Sequence, residues 1–139
     1  MLYRHLANDP RCPTELLSAT ARGLGWIGDD KTALQACREL SRRDSTRHDA
    51  YFGEAYYLRR LGYSAETVLP IVLQAYESAP NVALYRVALA SLLNGVGEIE
   101  EAQDLIRGVT PESIGCRCCL QRVLAVFQSA DDNDLGVRD

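Results

Sequence analysis

The chain has 139 residues, of which 47% are hydrophobic and 24% charged, and carries a formal net charge of −4. That length supports a single domain whose core needs no disulfide or metal, and the balance excludes intrinsic disorder as the general state. No overall positive field draws the chain to phosphate backbones or anionic lipid, so neither nucleic acid nor a membrane surface is expected as a partner.

Residues 1–12 ("MLYRHLANDPRC") hold no long apolar core and no small-residue cleavage signature, and no apolar run in the chain reaches bilayer length. They read as an N-terminal partial helix or arm. Five cysteines at irregular spacing suit reduced thiols in a cytoplasm better than a disulfide framework.

Strand signals are weak, and apolar residues recur at three- and four-residue intervals between turn residues, which predicts an all-helical chain. A first helix is expected over 13–27, opened by Pro13, carrying Leu17, Ala21 and Leu24 on one stripe and stopped by Gly28. The second, 30–43, places Ala33, Ala36, Cys37 and Leu40 on one face and its arginines in the last turn. Further helices follow at about 48–61, 65–78 with Ser64 as its cap, 81–94 and 98–109. Pro70 is expected to kink the fourth helix or delay its start. Residues 112–129 predict a seventh helix, with Cys116, Leu120, Val123 and Phe127 on its inner stripe and Cys118 pointing away, and 130–139 an acidic, flexible tail.

The copies superimpose. Gly28, Gly62 and Gly97 stand 34 and 35 residues apart. Seven places before each lies Ala21, Ala55 or Ala90, and four before lies Leu24, Leu58 or Leu93. Five places after come Ala33, Thr67 and Ala102, and nine after come Cys37, Ile71 and Ile106. Small residues let helices approach and larger ones fill the gaps between pairs, so each hairpin buries its face only against the next. The period, the two helices per unit and this order of residues resemble the tetratricopeptide repeat (TPR), most closely over 83–109. The middle copy departs from that pattern at Thr67, Pro70 and Ala75, and Leu17, Tyr51 and Arg86 stand where the family favours tryptophan or another bulky apolar residue.

The resemblance implies a right-handed stack of three TPR-like hairpins, at about 14–47, 48–82 and 83–111, closed by a C-terminal capping helix at 112–129 that covers the last hairpin. It also implies a non-catalytic protein–protein interaction scaffold that holds a peptide or helix in the concave groove lined by the first helix of each pair. The groove residues expected are Arg22, Trp26, Asp49, Phe52, Tyr56, Arg59, Val87, Ser91 and Asn94, flanked by Glu15, Ser18 and Leu84, with Arg22, Phe52, Tyr56 and Arg59 as anchors. Packing of Phe52 and Trp26 against neighbouring hairpins is the competing expectation for those two. Some relatives clamp a terminal carboxylate with lysine, asparagine and arginine. The matching places here hold Ser18, Arg22, Gly53, Leu84 and Ala88, so no such recognition is expected.

Two other functions stay open. Small acidic chaperones for secreted or aggregation-prone partners are built from three such repeats, and the Cys116-x-x-Cys119 spacing is shared by metal knuckles and thiol oxidoreductases. Cys118 faces away on the predicted helix, which argues against converging thiolates. Were the helix to begin near Gly115, however, the cysteines would sit at its positive end beside Arg117, where a thiolate is stabilised. His5 and His48 have no serine, cysteine or acid arrangement that makes a triad, and no glycine-rich phosphate loop occurs. No catalytic residue, metal or cofactor is therefore expected. The cluster Arg38, Arg42, Arg43, Arg47 reads as a solvated helix end rather than a nucleic-acid patch. Self-association into a homo-dimer through a hairpin edge remains open.

Overall fold

A computed structural model describes residues 9–128. The expected acidic tail and most of the expected N-terminal arm lie outside them. Among the described residues all regular structure is helical. The helices are α1 (Thr14–Trp26), α2 (Asp30–Arg43), α3 (His48–Arg60), α4 (Ala65–Ser78), α5 (Ala83–Gly95), α6 (Ile99–Ile106), α7 (Pro111–Ile114) and α8 (Arg117–Phe127).

Local chemistry explains the boundaries. Asp29 caps α2 by accepting the Thr32 backbone N–H at 3.4 Å, and Ser64 caps α4 by accepting that of Thr67 at 3.3 Å. Three turns close alike: the N–H three residues beyond the helix, of Asp29, Tyr63 or Glu98, reaches back to the carbonyl of Leu24, Leu58 or Leu93, at 2.9, 3.0 and 2.8 Å. Each closure requires a left-handed residue at the turn, and Gly28, Gly62 and Gly97 supply it with φ of 83°, 97° and 92°. The period in the sequence is thus a repeated turn as well as a repeated packing stripe.

Helices adjacent in sequence pack on one another from α1 through α6. Ala21, Ala55 and Ala90 are buried with Leu24, Leu58 and Leu93. The odd-numbered helices also touch. Tyr57 of α3 donates to the Ala21 carbonyl of α1 at 3.3 Å, and His48 Nδ1 of α3 meets the Tyr85 hydroxyl of α5 at 2.7 Å. Arg43 ties the end of α2 to the segment before α1 by donating to the carbonyls of Cys12 and Pro10.

Three expectations change. α4 starts on time and runs through Pro70 unbroken, because Ser64 caps it and Pro70 lies on an exposed face. Its buried stripe is Ala65, Val68, Val72 and Ala75, so Thr67 is exposed and packs nothing. The turn before α4 holds one residue more than the turn before α2, which rotates the stripe by one place. Finally, the single helix expected over 112–129 is two helices, interrupted at Gly115, whose φ of 79° ends α7.

That break redirects the chain. α8 lies chiefly against α5 and α3 rather than over α6. Ile106 of α6, expected to fill a gap between packed helices, is 44% exposed, and Ile99 is 52% exposed.

Candidate functional site

The face shared by α1, α3 and α5 carries most of the aromatic chemistry. On α3, residues Asp49, Phe52, Tyr56 and Arg59 follow three- and four-residue spacing and so fall on one stripe. Phe52 stacks on Tyr85 of α5 with ring centroids 4.7 Å apart, joining the two helices. Burial, with Asp49 nearby, pushes the Tyr85 phenol up to about 12, so it stays neutral opposite His48.

α8 occupies this face. Phe127 is 2% exposed and lies 5.6 Å from the Phe52 ring and 6.3 Å from the Tyr56 ring, with Val123 buried one turn earlier. Tyr56 also sits edge-on to Tyr57 at 5.3 Å and beneath the Arg60 guanidinium at 5.7 Å. Tyr56, expected as an open anchor, is half-buried beside the chain's own helix, and Phe52 follows its competing expectation, packing on Tyr85 of the next helix pair with Phe127 against it. The reason is the Gly115 turn, which swings α8 back over α3 and α5.

Beside α8 a cavity of about 780 Å³ remains between α5, α6 and α8. Four expected groove residues, Arg59, Val87, Ser91 and Asn94, line it together. Its other walls are Ile99 and Ile106 from α6 and Leu120, Leu124 and Phe127 from α8, with Gln103 and Gln128 among the polar groups. Arg59 is the one charged residue in the lining, and its Nη1 donates to the Tyr63 carbonyl at 2.9 Å. Sequence periodicity marks the α5 wall. The α6 and α8 walls depend on where α8 goes, which only the Gly115 turn signals.

The remaining expected residues lie apart from the cavity. Trp26 ends α1 and is 75% exposed, so it packs against no neighbouring hairpin. Arg22 is exposed and donates to Ser18 Oγ at 3.2 Å. Asp49 is engaged by Arg47 at 2.8 Å, and Arg47 also reaches Glu15 of α1 at 2.9 Å, which pins α1 to the start of α3. That hydrogen bond from Arg47 holds the Asp49 carboxyl below its usual range. The arginine cluster is neutralised throughout: Arg38 pairs with Glu54, and Arg42 and Arg43 share Glu39 at 2.7 and 2.8 Å.

The cysteines divide into two kinds. Cys12 and Cys37 are buried, and desolvation pushes the Cys37 thiol up to about 12, leaving it inert. Cys116, Cys118 and Cys119 are all exposed. This corrects the expected inner stripe, in which Cys116 faced the core with Leu120, Val123 and Phe127: only Val123 and Phe127 of α8 are buried, and Leu120 is half-buried. Cys116 is the N-cap of α8, outside the helix, so the rotation assumed for a continuous helix does not apply to it.

Among the described residues no group of three or more His, Cys, Asp or Glu side chains is placed to hold a metal ion, and no helix is long and apolar enough to cross a membrane. In comparisons with family models, curated proteins and solved structures, none matches this chain.

Proposed function

We propose that the chain is a non-catalytic interaction module of the TPR-like helical-repeat kind, which receives an amphipathic helix or peptide on the face of its first helices, α1, α3 and α5. The observation that carries this reading is α8 itself. The face between Phe52, Tyr56 and Tyr85 takes up a helix through two apolar side chains one turn apart, Val123 and Phe127. That is the helix-in-groove mode, in which anchors at four-residue spacing enter an apolar seat.

The chain's own helix fills only part of this face. The cavity beside it leaves Val87, Ile99 and Ile106 within reach of a second segment. A fitting partner presents two or three apolar side chains at helical spacing. Their burial supplies the affinity.

A photoreactive phenylalanine analogue placed at Asn94, which lines the cavity, tests this in the native cell against the same analogue at Glu77, an exposed position on α4. The expected result is a light-dependent adduct to a discrete protein from position 94 and none from 77. Equal adducts from both positions, or none from 94, would overturn the reading.

A further inference from the structure

The start of α8 places two thiols of the sequence Cys116-Arg117-Cys118-Cys119 together. Gly115 ends α7 in a left-handed conformation, and Cys116 follows in an extended one, with φ −133° and ψ 110°. That turn directs the Cys116 side chain back along the first turn of α8, where its sulfur accepts the Cys119 backbone N–H at 3.3 Å. Cys119 is the third residue of the helix, so its Cβ stands over the same turn as the cap. A bond between a capping sulfur and the third helical residue closes a small ring without unwinding the helix. Cys118 lies one position earlier and roughly 100° around the helix, away from the cap.

All three of these cysteines are exposed, whereas Cys12 and Cys37 are buried in the core. The hydrogen-bonding with Cys119 holds the Cys116 thiol below its usual range, and Arg122 adds a positive charge nearby. Cys119 is shifted the opposite way, chiefly by its bond to Cys116. The pair is therefore polarised, with one sulfur prepared to attack and its neighbour holding the proton.

We propose that Cys116 and Cys119 form a reactive dithiol, oxidised by a hydroperoxide to an intramolecular disulfide at the N-terminus of α8. The Cys116 thiolate attacks the terminal peroxide oxygen, the O–O bond breaks, and the departing alkoxide takes a proton to leave as an alcohol, or as water when hydrogen peroxide is the oxidant. The resulting sulfenic acid is attacked at sulfur by Cys119. The S–O bond breaks, the S–S bond forms, and hydroxide leaves with the Cys119 proton as water. The two electrons lost by the thiols reduce the peroxide; two equivalents of an exchanging thiol, themselves oxidised to a disulfide, return the pair to the dithiol. This site stands independently of the interaction face.

The sequence provides the test, because trypsin cuts after Arg107, Arg117 and Arg122 and separates Cys116 from the other two thiols. The full chain is treated with hydrogen peroxide, blocked with an alkylating reagent, and digested without reduction. The expected product is peptide 108–117 joined to peptide 118–122 with one blocking group on Cys118, about 2 Da below the sum of the reduced peptides plus that group. Cys118→Ser should retain the joined product, while Cys116→Ser and Cys119→Ser should each lower its yield by roughly tenfold or more. All three positions are exposed, so the variants disturb no core packing. A disulfide confined to peptide 118–122, loss of the joined product in Cys118→Ser, or dimers between chains as the main product would each overturn the proposal.

Discussion

Gly25 lies in the last turn of α1, one residue before its end, and the reason for glycine there is on the neighbouring helix. A Cβ at this position would stand 2.8 Å from Cε1 of Tyr57, whose hydroxyl holds the Ala21 carbonyl. Gly25→Ala is expected to destabilise by about 1–3 kcal/mol in urea unfolding, because the buried ring must shift. Gly95, the last residue of α5, has nothing within 4 Å of its would-be Cβ and no positive φ. Gly95→Ala should instead stabilise by about 0.5–1 kcal/mol. Equal effects at the two sites would contradict the close approach of α1 and α3.

Glu39 makes a second claim at the residue scale. Hydrogen bonds from Arg42 and Arg43 hold its carboxyl down to about 2. A carboxyl lowered on folding contributes stability that is complete above its unfolded value and is lost as pH falls through its folded value. The window therefore runs from about 4.5 down to about 2. Glu39→Gln should flatten the slope of unfolding free energy against pH within that window. An unchanged slope would mean that the two arginines do not hold this carboxyl in solution.

At the scale of elements, the hairpin helices were legible because their signals are local. Turn glycines, caps at Asp29 and Ser64, and apolar residues at helical spacing each act within a few positions. The stripe of α4 was misread by one place because the longer turn before it changes the phase without changing the helix. Pro70 neither delays nor breaks α4: its cost is a lost hydrogen bond, which a capped helix with a buried opposite face can absorb. Pro70→Ala restores that bond on an exposed face, and should raise stability by about 1–3 kcal/mol in the same urea assay. The last helix was misread for a larger reason. The spacing favours one helix through Gly115 and leaves a start near Gly115 as the alternative; the structure takes the alternative, and the left-handed turn changes both the phase of the cysteines and the direction of α8.

For the whole molecule, where α8 goes decides what the first-helix face can do. The α5 side of the candidate site could be read from spacing, because it belongs to one helix. The rest could not, because Ile99, Ile106, Leu124 and Phe127 meet only once the chain has turned back. Phe52 and Tyr56 were identified as anchors from their type and position, yet their occupant is internal. An internal helix acts at an effective concentration in the millimolar range, so a free copy of it competes poorly with the intact chain. Truncating a buried phenylalanine costs about 3–5 kcal/mol, enough to tip that competition. The direct measurement is fluorescence anisotropy of a labelled peptide of residues 116–128, titrated with wild-type and Phe127→Ala protein. The account predicts that the variant binds the peptide at least about tenfold more tightly than the wild type, and that a peptide with Phe127 replaced by alanine binds neither. Equal affinity for both proteins, or no binding by a folded Phe127→Ala chain, would contradict a helix-accepting face between α3 and α5.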